Sequence, residues 1–401
     1  MNRRNFLQSA VMAALAGGLA ANRALAQAAE TKNIPLHAYS RYLHWLRTPQ
    51  EVAKACWELS CRYLMVTVQD GDTAHVQQEN VRRDLPRFVN ALRADGIDVQ
   101  AIRGGNQTDV DGDVERLVGT MADLGIRYYW LGTDRYDFSQ PIMPQLDAIK
   151  RKVERFVKLN ERHGATLMYH TRSGATSVGS VVWDLLYVLR DFDPRYVGLH
   201  WDTGHMSLHG PMWETLFRTA GPYVVSVSWK DRVWRQDLGG LTEQGGPYPG
   251  PNPQPQGGGL GGGAGGGRPG GGPGAGGGPG GGGPGGGFGG GFGGGGQGRP
   301  QNPLDRIPLP LAGEHFARGM GWRSMETAIG TGVVDLFRYG QVLRETGFDG
   351  IMDLQAEYPL GGAERGLKEL TLPRKLVLGA LKRDVLTVRT ALAQSGSGIV
   401  V

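Results

Sequence analysis

The sequence predicts an α/β barrel. Three observations support this: eight strand-helix units follow one another along the chain, their strands are short and apolar, and polar residues collect at the carboxyl ends of the later strands. Short buried strands argue for parallel pairing, because each crossover helix covers a sheet face. Eight is the number that closes a (β/α)8 TIM barrel. A doubly wound open sheet is the alternative, but no GxGxxG follows the first strand, which weighs against a dinucleotide-binding version.

The elements are read in chain order. Residues 34–39 form a short apolar strand, and Thr48 caps a helix that runs through Glu51, Ala53, Ala55 and Leu59. Strand two is 63–69, followed by an amphipathic helix over 76–94. Strand three is 97–102 with a helix over 110–124, and strand four is 127–131 with a long helix over 141–163. Strand five is 166–170 with a helix over 178–190. Strand six is 196–201 with a helix over 212–220, and strand seven is 223–229. Strand eight, 350–357, follows a helix over 333–346 and precedes one over 373–393.

Residues 239–300 interrupt this rhythm between strand seven and the helix before strand eight. Of the 67 glycines in the chain, 31 lie within 257–298, which leaves ordinary globular usage elsewhere. A Gly/Pro-rich segment of this kind cannot bury enough apolar surface to offset its conformational entropy, so a long flexible insertion is expected on the catalytic face of the barrel. The glycines follow no strict three-residue period, which excludes a collagen. With 401 residues and 40% hydrophobic content, the chain has ample material for a large core. A net charge of +5 without a long basic run argues against a nucleic-acid partner.

The amino terminus reads as an address. Arg3-Arg4 precede Phe6-Leu7, a mildly apolar stretch and then Ala24-Leu25-Ala26, a small-x-small cleavage site. Residues 1–26 resemble a Tat-type signal peptide, so a mature chain spanning 27–401 is expected in the periplasm or otherwise exported. The apolar stretch is shorter than the ~20 residues of a spanning helix, and no stable membrane insertion is expected after cleavage. Cys56 and Cys61 fall on one expected helix, too far round it for a disulfide, and read as buried small apolar side chains.

The chemistry gathers at four strand ends. Residues two apart on a strand share a face, so strand five presents Met168 and His170, with Arg172 beyond. Strand six presents His200 and Asp202, followed by His205, and strand seven presents Ser226, Ser228 and Lys230, followed by Asp231. Strand eight presents Asp353, Gln355 and Glu357. The last inward members, His170, Asp202, Lys230 and Glu357, form a polar layer at the barrel mouth. Polar ends on apolar strands are costly to bury without partners, and function lies at this face in nearly all such barrels. His37, His44, Asp70, Asp72, Arg103, Asn106, Asp134 and Arg135 follow earlier strands and read as capping or solvated loop residues. Trp130, Trp201 and Trp229 lie in or beside strands, and the outward parity of Trp201 and Trp229 assigns them to helix packing.

The segments GLHWDTGHM (198–206), VSWKD (227–231) and GFDGIMDLQAEYPLGGAERG (347–366) resemble the xylose isomerase-like barrels, over about residues 34–394 apart from the insertion. That superfamily includes sugar isomerases, sugar epimerases and the endonuclease IV group. The resemblance implies a divalent metal held by Glu, Asp, His and Glu from strands five to eight, with the two Glu exchanging the substrate proton. Only the Asp is kept, as Asp202; the other three positions hold Met168, Ser228 and Gln355. His205 matches the family's substrate-touching His, and His170 the His that ends its fifth-strand motif.

Two forms of the site follow. In one, His170, Asp202 and Glu357, with or without His205, hold Mn, Fe or Zn one layer higher. In the other no metal is bound; Glu357 is the general base, and Lys230 or His205 is the electrophile. His170, Arg172, Asp202, His205 and Gln355 are the expected substrate contacts. The resulting expectation is an exported enzyme that moves a proton alpha to a carbonyl of a small carbohydrate or polyol, by isomerisation, epimerisation or elimination. A catalytically silent carbohydrate-binding barrel is the alternative. An endonuclease IV-like activity is a poorer one, because it needs a three-metal cluster and a basic DNA face. Deleting residues 245–300 is expected to leave the melting temperature nearly unchanged, since loop length enters closure entropy at only ~0.6 kcal/mol per doubling. Loss of cooperative unfolding in that deletion would contradict the assignment of the segment as an insertion.

Overall fold

The computed structural model describes residues 31–71, 74–236 and 322–401. The expected signal segment 1–26, the expected insertion 239–300 and Asp72 lie outside the described residues. Eight parallel strands close a barrel: β1 (Leu36–Tyr39), β2 (Tyr63–Thr67), β3 (Asp98–Arg103), β4 (Tyr128–Trp130), β5 (Thr166–His170), β6 (Val197–Asp202), β7 (Val224–Trp229) and β8 (Ile351–Leu354). Each pairs with its chain neighbour, and β8 pairs with β1 to close the ring.

Helices cover the outside. They are α1 (Pro49–Glu58), α2 (Val81–Ala94), α3 (Gly112–Asp123), α4 (Ile142–His163), α5 (Val182–Leu189), the short α6 (Thr203–Met206), α7 (Met212–Ala220), α8 (Leu336–Glu345) and α9 (Arg374–Gln394). Local chemistry sets their ends. Thr48 and Glu51 form a reciprocal capping box at α1, with Thr48 Oγ1 accepting from the Glu51 N–H at 3.2 Å. Asp111 and Asp335 cap α3 and α8, and Gly164 ends α4 at φ +65°, a conformation glycine adopts without a Cβ clash.

The outward tryptophans pack under the helices as their parity requires. Trp201 meets Phe217 edge-on at 4.9 Å and donates from Nε1 to the Tyr339 hydroxyl at 3.3 Å. Trp213 stacks on Tyr339 at 3.6 Å, so α7 and α8 are held to β6 and β7 by one aromatic cluster.

Several elements differ from expectation. β8 ends at Leu354, so Gln355 and Glu357 belong to the following loop, where the Glu357 N–H bonds to the Gln355 carbonyl at 3.0 Å. Cys61 is not on α1: the helix stops at Glu58, Ser60 turns the chain at φ +62°, and both cysteines are buried and free. His37 lies inside β1, with Nδ1 2.8 Å from the Met352 carbonyl. Residues 76–80 precede α2 as a 3-10 turn and loop. Two strand pairs had no signal in the alternation pattern. Lys32–Asn33 pairs with Ile399–Val400, and Asp231–Gln236 pairs with Trp322–Thr327.

Candidate active site

The register brings the sequence-selected residues together. His170 is level with His200, His200 with Ser226, and Asp202 with Ser228, which in turn is level with Asp353. In the barrel interior, Asp353 accepts from Ser228 Oγ at 3.1 Å and lies 2.7 Å from His200 Nε2. Both His200 and Asp353 are fully buried, and this pair forms the floor of the site.

Above the floor stands Lys230. Its side chain is 1% exposed, and its Nζ lies 2.6 Å from Glu357 Oε2, 3.2 Å from Asp202 Oδ2 and 3.3 Å from His205 Nε2. The segment Asp202-Thr203-Gly204-His205 holds it there. Asp202 caps α6, its Oδ1 accepting from the His205 N–H at 2.8 Å, which leaves Oδ2 to face the ammonium. The Thr203 hydroxyl donates to the Lys230 carbonyl at 2.7 Å and accepts from the Lys230 N–H at 2.9 Å. At Gly204 a Cβ would come within 2.6 Å of Lys230 Cγ, so the lysine stem crosses α6 where only glycine leaves room. Asp231, next along the chain, is a structural anchor. Its carboxylate accepts from the N–H groups of Gly330, Gly332 and Val334 and ties down the chain leading into α8.

Charge states follow from these contacts. Burial opposes the charge on Lys230, but Asp202 and Glu357 outweigh it and hold its pKa above the ordinary lysine value. Burial likewise opposes ionisation of Glu357, yet Lys230 and Arg41 bring its pKa down to about 2. Burial, with Lys230 and Arg172 as neighbours, lowers His205 well below the usual imidazole range. Burial and Arg172 do the same to His170. An ammonium only donates, so His205 Nε2 accepts from Lys230 and its Nδ1–H donates to Ser173 Oγ at 2.7 Å. His205 therefore orients Lys230. Gln355 Nε2 is 3.4 Å from His170 Nε2, and Arg172 Nε donates to Thr133 Oγ1 at 3.2 Å. All seven expected catalytic, substrate and metal residues lie at this end of β5–β8, and Glu357, with 29% of its side chain exposed, reaches solvent.

The weaker candidates separate from this group. His44 sits between the carbonyls of Gly366 at 3.0 Å and Ala74 at 2.7 Å. Asp134 accepts from Tyr169 and Lys152, and Arg135 Nη1 donates to Thr176 Oγ1 at 3.3 Å. Arg41, on the 3-10 turn Ser40–Leu43 after β1, is a neighbour of Glu357 that sequence reasoning missed. It carried no signal, because a lone arginine after a short strand resembles any solvated loop residue.

The fold is a closed parallel (β/α)8 barrel, the fold that the resemblance to the xylose isomerase-like barrels implies. It is similar to L-ribulose 3-epimerase at a TM-score of 0.52, with 12% identity over 90% of this chain and 97% of the other. It is also similar to 3-keto-D-glucoside 4-epimerase from E. coli (0.51, 10%, covering 89% and 100%) and to D-psicose 3-epimerase from Clostridium cellulolyticum H10 (0.50, 10%, covering 89% and 99%). No family model and no curated protein sequence matches the chain. No helix among the described residues is long and apolar enough to cross a membrane.

The divalent metal implied by this fold family can be tested against the residues present. Met168, Ser228 and Gln355 stand where the resemblance implies three ligands, and Ser228 is engaged with Asp353. One layer higher, donor atoms of His170, Asp202 and His205 lie within 4.8 Å of one another. Glu357 stands apart from that group, paired with Lys230. Among the described residues, His170 Nδ1 and Asp202 Oδ2 are buried without a hydrogen-bond partner, but the Lys230 ammonium already stands 3.2 Å from Asp202 Oδ2 and 3.3 Å from His205 Nε2. A dication beside a buried ammonium would meet strong repulsion at low dielectric. The residues do not fit a metal while Lys230 is charged.

Removing that charge should reverse the result. Lys230→Ala leaves Asp202 as an uncompensated buried carboxylate, which costs ~3–5 kcal/mol. The variant is expected to melt lower and to take up one Zn²⁺ per chain, with the added zinc raising its melting temperature. A Lys230→Ala protein whose melting is unmoved by zinc would show that His170, Asp202 and His205 cannot be assembled around a cation.

Proposed function

We propose that the protein is an exported enzyme of the sugar isomerase and epimerase type, and that it moves a proton alpha to a carbonyl of a small carbohydrate or polyol without a resident metal. The observation that carries this reading is the pairing of a buried ammonium, Lys230, with a carboxylate, Glu357, that reaches solvent 2.6 Å away. An acid that polarises a carbonyl and a base beside it are the two groups that enolisation needs. The activities of proteins sharing the fold, L-ribulose 3-epimerase and D-psicose 3-epimerase among them, support a carbohydrate substrate.

In this reading Lys230 donates to the substrate carbonyl oxygen and stabilises the negative charge that develops there. Burial strengthens that interaction, because little water competes for it. A carbonyl that takes a hydrogen bond from Lys230 loosens its hold on Glu357, and the released carboxylate becomes a stronger base. Glu357 then takes the proton from the adjacent carbon to give an enediolate and returns it to the former carbonyl carbon. The hydroxyl proton passes to the former carbonyl oxygen, so that carbonyl and hydroxyl exchange places. His170 and Gln355 face substrate hydroxyls, while Asp202, Thr203 and His205 keep the ammonium in place. One exposed carboxylate serves one face of the substrate. That favours isomerisation or elimination over epimerisation, which needs delivery from both faces. The replacement of three implied ligands by Met168, Ser228 and Gln355 favours a second reading, a carbohydrate-binding barrel without chemistry.

Proton exchange separates the two readings. With candidate aldoses and ketoses in D₂O, the wild type should wash deuterium into the carbon next to the carbonyl, and Glu357→Gln should slow this by ~10²-fold or more. Because Glu357 is partly exposed, the variant should lose less stability than the ~3–5 kcal/mol of a fully buried pair. Binding without exchange in the wild type would leave only the silent barrel. A large stability loss with exchange retained would make Glu357 a structural cap.

The pH dependence has a definite form as well. Glu357 is ionised above about pH 2, and His170 and His205 are neutral above values well under 6.5. Lys230 stays charged past its usual range. kcat/KM, which reports the free enzyme, should therefore be flat from about pH 5 to 8. An acidic limb near pH 6 would identify a histidine as the base instead.

A further inference from the structure

Three more cations stand at the same mouth, and the mechanism uses none of them. Arg41 follows β1, Arg103 ends β3, and Arg172 lies two residues beyond β5. They converge: Arg103 Cζ lies 4.7 Å and Arg172 Cζ 5.7 Å from the Trp130 ring centroid. The Tyr39 ring is 6.4 Å from Trp130, and Tyr39 is within electrostatic reach of all three arginines.

None of the three forms an ion pair within 4.0 Å among the described residues. Arg103 is 9% exposed and donates to the Gly104 and Gly105 carbonyls and to Asn106 Oδ1. Arg172 is half-buried and makes one bond, to Thr133. The carboxylates within electrostatic reach are engaged elsewhere. Glu357 and Asp202 hold Lys230, and Glu364 accepts from the Leu360 and Gly362 N–H groups beside Arg365. Four cations thus face three carboxylates, of which Lys230 claims two and backbone N–H groups with Arg365 engage the third. Like charges gathered away from water repel one another unless an anion joins them.

We infer that the substrate carries an anionic group, a carboxylate or a phosphate, which docks between Arg41 and Arg172 with Arg103 behind. This inference rests on the proposed function only in placing the substrate at this mouth. Guanidinium groups suit such an anion because they match its oxygens in pairs. The neutral sugar body would then lie over Glu357 and Lys230.

Calorimetric titration of the full chain at low salt with D-glucuronate, D-glucose 6-phosphate, inorganic phosphate and D-glucose tests the idea. At least one of the two anionic sugars should bind about tenfold more tightly than D-glucose, and added salt should weaken it. Preference for glucuronate assigns a carboxylate; preference for the phosphate ester, with competition by inorganic phosphate, assigns a phosphate. Arg41→Gln and Arg172→Gln should each weaken that binding several-fold without lowering the melting temperature, and Arg172→Lys should recover part of it. Glucose binding as tightly as both anions, no binding of either anion at about 10 mM, or an unchanged affinity in both Gln variants would overturn the inference. Glu357→Gln keeps the two readings apart, because removing a negative charge should preserve or tighten anion binding while abolishing proton exchange. Anion binding without exchange in the wild type ends the proton-transfer reading alone, and exchange on neutral sugars without anion binding ends this one alone.

Discussion

A lysine ammonium buried at the mouth of a barrel is the constraint on which the rest of the site depends. Such a charge is tolerated only when carboxylates compensate it and its remaining hydrogens find acceptors. Here Asp202, Glu357 and His205 supply both. Each depends in turn on local backbone: Asp202 is fixed as the cap of α6, and Gly204 clears the path of the lysine stem. The loop after β8 brings Glu357 over the ammonium from above. A single charge thus explains why a four-residue helix, a glycine and a strand-end loop take the forms they do.

The same charge separates this barrel from a metal-dependent plan built on the same fold. A divalent ion and an ammonium do similar work, since each stabilises negative charge on a substrate oxygen. They cannot share Asp202. With Met168, Ser228 and Gln355 where the family resemblance implies ligands, the deeper layer is a hydrogen-bonded floor, built from the His200–Asp353 pair with Ser228. The positive potential added by Arg41, Arg103 and Arg172 fits a substrate that brings its own negative charge.

Strands five to seven and the convergence of His170, Asp202 and Lys230 were legible in the sequence, because buried parallel strands show their inward faces at every second residue. Thr48 and Glu51 announced α1 three residues apart. Legibility failed where geometry depends on distant partners. β8 was read too long, since Gln355 and Glu357 keep strand parity although pairing stops at Leu354. Cys61 was placed on α1 because nothing local announces the left-handed turn at Ser60. Glu357 as base and Lys230 as electrophile were legible as a pair of roles, but their direct contact at 2.6 Å was not, because parity fixes a face and leaves distance open. Arg41 was invisible, because only barrel closure brings the loop after β1 beside the loop after β8.

The central claim is that Lys230 is the resident cation of this site. Elemental analysis of the purified, folded wild-type protein tests it most directly. The account predicts Mn, Fe and Zn each at well under one equivalent per chain, with no gain after dialysis against the metals. One tightly held equivalent of any of them would contradict it, and would mean that His170, Asp202 and His205 hold a metal from which Lys230 has moved away.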